Sequence, residues 1–129
     1  MRVLLDTHML IWALEDSPRL PAWARAVLED PENECWVSSA SVWEIAIKAM
    51  LGKVRLGQPL AALEVAIERA GFQTIDVTLR HAAAIERVEV SHGDPFDRLL
   101  LAQCEVETLR LLTADRLLAK LPVSVRGGP

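Results

Sequence analysis

Apolar and polar positions follow two periods in turn along the chain. A short apolar run from Arg2 to Leu5 ends at Asp6, and from Thr7 to Leu14 apolar residues return at helical spacing, which predicts strand, carboxylate, helix. Ser17-Pro18-Arg19-Leu20-Pro21 breaks that helix, Ala22 to Glu29 predicts another, and Asp30-Pro31 stops it. Cys35-Trp36-Val37 predicts a second strand. Ser38 to Ser41 supplies capping side chains for a helix from Val42 to Leu51 that ends at Gly52. Leu60, Leu63, Ile67 and Ala70, with Glu64 and Glu68 between them, predict an amphipathic helix closed by Gly71. A third strand is expected from Phe72 to Val77, then a helix from about Leu79 to Arg87, a polar loop Ser91-His92-Gly93-Asp94-Pro95 and a helix from Phe96 to about Glu107. Arg110 to Thr113 predicts a fourth strand, Asp115 to Lys120 a short helix, and Val123 to Val125 a last strand before a Gly127-Gly128-Pro129 tail expected to fray.

Strands separated by helices throughout imply parallel neighbours, because parallel pairing needs crossover connections. The expected fold is therefore α/β: a three-layer α/β/α sandwich around a central parallel sheet, as a single domain over residues 1–129. At 129 residues the chain is long enough to bury a core without a metal staple or disulfides. Ligands of such sheets bind outside the carboxyl ends of the strands, which directs attention to the residues there.

Composition changes this picture little: 51% hydrophobic and 25% charged residues exclude disorder, collagen and coiled coil. Cys35 and Cys104 sit in apolar stretches without CxxC or CxxH spacing, so they read as buried free thiols of a reducing compartment. Asp6 interrupts any signal-peptide core, and Asp6, Glu15, Glu44, Glu64 and Asp97 interrupt every candidate membrane span, so a cytoplasmic location is expected. The net charge of -4 argues against holding nucleic acid by bulk electrostatics but leaves room for a nucleic-acid enzyme with an acidic metal pocket.

Four carboxylates fall at strand ends or helix starts: Asp6, Glu44, Asp97 and Asp115. Gathered at one edge they would repel one another unless a cation lay between them, and oxygen-only ligands suit Mg2+, with Mn2+ able to substitute. Without these four, the 18 acidic residues become 14, equal to the lysines and arginines. Each acid also has a plain structural account. Ser41 to Glu44 is a capping box in sequence, Asp94 is an N-cap before Pro95, Glu44 and Lys48 are one turn apart, and Asp115 is placed to cap a helix. Asp6, after Val3-Leu4-Leu5, has no capping partner in sequence.

Leu4-Leu5-Asp6-Thr7-His8, Ser38 through Lys48, His92-Gly93-Asp94-Pro95-Phe96-Asp97-Arg98 and Leu112-Thr113-Ala114-Asp115 together resemble the four motifs of PIN-domain ribonucleases, in the VapC toxin branch of type II toxin-antitoxin systems. The motifs stand in order from position 4 to 115. The resemblance implies a magnesium-dependent endoribonuclease, acting as a homodimeric toxin silenced by a small antitoxin. It places Asp6, Glu44, Asp97 and Asp115 at the acidic positions, while Asp94 reads as a cap.

The implied reaction is metal-assisted hydrolysis of RNA phosphodiesters. Asp6, Asp97 and Glu44 would bind or orient a first ion, and Asp115 with Glu44 would serve a second in a two-ion site. Thr7 and Thr113 are available to hold a water or phosphate oxygen, though threonines there often only cap. Lys48, Lys53, Arg55, Arg98 and Arg116 are candidates for phosphate contacts. His8 reads as a packing residue, and His81 and His92 as surface or loop residues. Trp12, Trp23, Trp36 and Trp43 read mostly as core, with one or two left for a dimer seam or a partner helix. A receiver-like domain matches poorly, since Leu5 precedes a lone Asp6 and Asp76 is followed by Val77. A DxD phosphatase fails at His8. A non-catalytic α/β binding module, whose acids bind a metal or cap helices, is the remaining alternative.

Overall fold

The computed structural model describes residues 1–88 and 93–125; His92 and the Gly127-Gly128-Pro129 tail lie outside them. Four strands, β1 (Arg2–Leu5), β2 (Glu34–Ser38), β3 (Gln73–Ile75) and β4 (Arg110–Leu112), form one sheet in the order β3-β2-β1-β4. Every neighbouring pair is parallel, with Leu4 opposite Trp36 on one side and Leu111 on the other. The strands therefore end at a common edge, where Asp6, Ser39, Asp76 and Thr113 follow them.

The helices are α1 (Thr7–Leu14), α2 (Ala22–Glu29), α3 (Ser39–Met50), α4 (Leu63–Arg69), α5 (Leu79–Ala84) and α6 (Pro95–Glu107). Successive strand side chains point to opposite faces, and the core divides accordingly. Val3, Leu5, Val37 and Leu112 pack with Met9 and Leu10 of α1, Ala24 of α2, Ile45 of α3, and Leu63 and Ile67 of α4. Leu4 and Leu111 pack with Leu100, Leu101 and Cys104 of α6 on the other face. A central strand covered on both faces has no solvent side, which is why Val3-Leu4-Leu5 is a continuous apolar run. The expected three-layer sandwich is the fold observed.

Several local expectations change. α3 starts at Ser39, directly off β2, because the Ser38 hydroxyl accepts the Ala40 amide at 3.0 Å. Ser41 then lies inside the helix with a buried, unpartnered Oγ, so the Ser41–Glu44 capping box does not form and Glu44 sits in the second turn. The stretch Leu60–Ala70 divides into a 3-10 turn (Leu60–Ala62) and α4, and β3 keeps only three residues. Asp115–Lys120 narrows to a 3-10 turn at Leu118–Lys120, and Val123–Val125 to a single bridge between Leu111 and Ser124. No tryptophan is fully buried. Trp12, Trp23 and Trp36 lie at the rims of the two core clusters, and Trp43 is 60% exposed. Both cysteines are buried and free, and burial pushes the Cys104 thiol up to about 12, so it is unreactive. Among the described residues no helix is long and apolar enough to cross a membrane.

His81 is the clearest departure, being wholly buried rather than at the surface. The Thr78 amide donates to Nδ1 at 3.0 Å, which leaves the ring proton on Nε2, 2.7 Å from the Glu107 carboxylate. Thr78 returns the cap by accepting the His81 amide at 3.2 Å. The ring thus ties α5 to α6. His81→Ala would leave the Thr78 amide without its partner, and a loss of about 1–3 kcal/mol is expected in urea unfolding; an unchanged midpoint would refute the tie.

Candidate active site

Asp6 follows β1, with its amide bonded to the Leu112 carbonyl at 3.0 Å, which aligns the ends of β1 and β4. Its side chain is buried. Oδ1 accepts the Met9 amide at 2.9 Å, so Asp6 is the N-cap of α1, a partner that the sequence reading did not find. Oδ2 accepts the Thr113 hydroxyl at 2.5 Å. Thr113 in turn accepts the Asp115 amide at 3.0 Å, and exposed Asp115 caps the turn after β4 by accepting the Leu117 and Leu118 amides at 2.8 and 3.0 Å. Burial pushes the Asp6 carboxyl above the usual aspartate range. The bonds from Thr113 and Met9 and the charge of His8 pull it back, and the charge of Asp115 adds to the rise.

Glu44 reaches the same region from α3. Its side chain is buried, with Oε1 accepting the Thr7 hydroxyl at 2.6 Å and Oε2 against the Lys48 ammonium at 2.5 Å. The pair is therefore more than a solvated one-turn contact on a helix face. The hydrogen bond to Glu44 raises the Lys48 pKa above its ordinary value against the opposing effect of burial. The charges of Glu44, Asp94 and Asp97 raise it further, which puts α3 and the start of α6 in one electrostatic neighbourhood. Trp43 packs edge-on against Phe96, with centroids 5.4 Å apart, and joins the two helices there. Asp94 caps α6, accepting the Phe96 and Asp97 amides at 2.8 and 3.1 Å, as expected.

The structure links Asp6 with Thr113 and Asp115, and Glu44 with Thr7 and Lys48, while the charge of Asp97 acts on Lys48 from the start of α6. Among the described residues no three His, Cys, Asp or Glu side chains are arranged to hold a metal ion. The threonines grip carboxylates rather than facing outward. Sequence reading gave both little weight, and it offered Lys48 as a phosphate contact and as a one-turn partner of Glu44 without the burial of that carboxylate. His8 is exposed and lies near Trp12, with ring centroids 5.7 Å apart. Lys53, Arg55 and Arg116 are exposed, and Arg98 is half-buried. A cavity of about 510 Å³ opens between α3, α4 and β3, with Val42, Trp43, Ala46, Leu63 and Ile67 among its walls.

Residues 3–123 match the PIN domain. Ribonuclease VapC22 of Mycobacterium tuberculosis (strain ATCC 25618 / H37Rv) is 33% identical over 116 residues, covering 88% of this chain and 87% of that protein. Ribonuclease VapC16 of the same organism is 38% identical over 71 residues, about half of each chain. Among solved structures, VapBC2 from Rickettsia felis bound to a promoter DNA fragment superposes with a TM-score of 0.66 at 15% identity, covering 97% of this chain and 96% of that one. A toxin-antitoxin complex from Klebsiella pneumoniae gives 0.63 at 19% identity and 95% of both chains. At these identities the solved structures speak for the fold, while the matched domain and the VapC22 alignment carry the relationship: the chain belongs to the PIN-domain family, in its VapC branch.

Proposed function

We propose that the chain is a metal-dependent endoribonuclease, the toxin of a toxin-antitoxin pair, with Asp6 and Asp97 as the main carboxylates toward a divalent ion and Glu44 and Asp115 completing the acidic set. The observation that carries this reading is Asp6: a buried carboxylate at the carboxyl edge of the central strand, with Asp115 adding negative charge beside it. A capping aspartate needs no such burial. The donor set is all oxygen and open, which suits Mg2+ or Mn2+, since Mg2+ keeps several waters and takes few protein carboxylates. A bound ion supplies a water of lowered pKa and neutralises charge on the phosphate.

The chain's own residues do the positioning. Thr113 fixes Asp6, Thr7 and Lys48 fix Glu44, and Asp94 fixes the start of α6 that carries Asp97. Arg98, with Lys53, Arg55 and Arg116, supplies cationic side chains for the phosphates of the RNA substrate. Residues 1–129 act in this reading as a single nuclease domain and pair as a homodimer. A small antitoxin is the regulator, a partner supported by the complexes in which the structural neighbours occur. The apolar cavity beside Trp43 is suited to a helix of that partner. A cytoplasmic setting accords with two buried free thiols.

The test is cleavage of a mixed RNA pool by protein shown by mass spectrometry to be free of a bound partner, with Mg2+, Mn2+ or chelator. Cutting is expected only with metal and is expected to disappear in Asp97→Asn. Equal activity in wild type and variant would favour the non-catalytic binding module.

A further inference from the structure

We propose that Trp43 and Phe96 form a stacking step for an unpaired base of the RNA substrate, at the rim of the acidic edge; this rests on the nuclease reading above. Each ring stands one residue before an acid of the site, Trp43 before Glu44 on α3 and Phe96 before Asp97 in the first turn of α6. Two segments distant in sequence thus bring the same aromatic–acid order to one place, with ring centroids 5.4 Å apart and ring planes at 72°. Successive helical residues point about 100° apart, so one of each pair can face the site while the other borders it. On α3 this division is complete: Glu44 is buried and Trp43 is 60% exposed. A ring kept only to join α3 to α6 would be covered by the contact it makes, whereas Trp43 leaves most of its indole in water beside Phe96.

The occupant follows from what the neighbouring residues hold. An RNA strand that brings a phosphate to the acids carries bases on both sides of that phosphate, and the side chains bordering Glu44 and Asp97 in sequence are these two rings. Arg98, next after Asp97 on α6, sets a cationic side chain in the same turn for a flanking phosphate. Stacking on an aromatic ring accepts every base, because each has a π-face, and requires the base to be out of a duplex. The substrate class that this geometry favours is RNA with unpaired nucleotides beside the scissile phosphate.

The experiment measures, by fluorescence anisotropy with Ca2+ present to neutralise the acids, the binding of two short fluorescein-labelled oligomers of equal length. One is oligoadenylate, and the other carries abasic ribose at every position, so the two have the same charge and differ only in the bases. Wild type is expected to bind oligoadenylate about tenfold tighter than the abasic oligomer. Trp43→Ala and Trp43→Leu, the second of which keeps apolar bulk without a π-face, should lose that preference while binding the abasic oligomer as wild type does. Trp43→Phe should keep most of it. Equal loss on both oligomers in Trp43→Ala and Trp43→Leu would make the ring a structural contact. Oligoadenylate binding unchanged in these variants would leave the ring to a protein partner, through the cavity between α3, α4 and β3 that it also lines. Either result, or a wild type without preference for the oligomer that has bases, overturns the stacking step and leaves the nuclease reading intact. That reading fails separately, if the RNA pool is cut with no metal offered.

Discussion

Asp6→Asn is expected to lower metal-dependent RNA cleavage by about 10³-fold or more, equivalent to roughly 4 kcal/mol of transition-state stabilisation, while making the metal-free protein more stable. Asparagine keeps an oxygen for the Met9 amide and nearly the same volume, so the fold is retained. What it removes is the negative charge that burial and Asp115 disfavour. The sign follows from the direction of the shift. The folded-state pKa is raised, so the folded chain holds the Asp6 proton to higher pH than the unfolded chain does. The penalty is absent below the ordinary aspartate pKa, grows as pH rises through it, and levels off above the folded-state value. Urea unfolding in chelator should therefore show the stability gain of Asp6→Asn growing with pH from the acid side and then becoming constant. Mn2+ should stabilise wild type and leave the variant nearly unaffected. Equal stability across the pH series would mean that Asp6 carries no such penalty.

Leu4→Ala is expected to cost about 2–5 kcal/mol, a large part of the ~5–15 kcal/mol that holds an ordinary domain together. Leu4 is fully buried at the middle of the sheet, between β2 and β4, and packs against α6. Its truncation leaves a cavity that three parallel strands cannot close, and it lies two residues before Asp6. Leu79→Ala, on a side chain that is 92% exposed, should stay within about 0.5 kcal/mol and serves as the control. Denaturant midpoints for the two variants decide the matter, and similar midpoints would place the core elsewhere.

Much of the architecture was legible because it is written in local period. β1, α1 and α2 have the bounds that the apolar spacing predicts, and the burial of β1 on both faces is visible as an unbroken apolar run. Boundaries slipped where two capping residues compete. Ser38 and Ser41 both offer a hydroxyl, and only the direction in which β2 delivers the chain selects Ser38. His81 was misread for a related reason: an isolated histidine has no periodic signature, and its burial depends on α6 packing over α5.

The four acids were marked by their places after strands or at helix starts, and their identities needed no coordinates. Their partners did. The Thr113–Asp6 bond spans 107 positions and exists because β4, last in sequence, inserts beside β1 rather than at the β3 edge. The Thr7–Glu44 bond spans 37 positions and depends on α1 facing α3. Lys48 is one turn from Glu44 in any helical reading, but only the burial of Glu44 separates that contact from a weak surface pair. Sequence by itself determined the strands, the helices and the residues carrying charge, because these follow from short-range sterics and apolar period. Tertiary structure decided which charges meet and how deeply they are buried, because strand order and helix docking are set by contacts between distant segments.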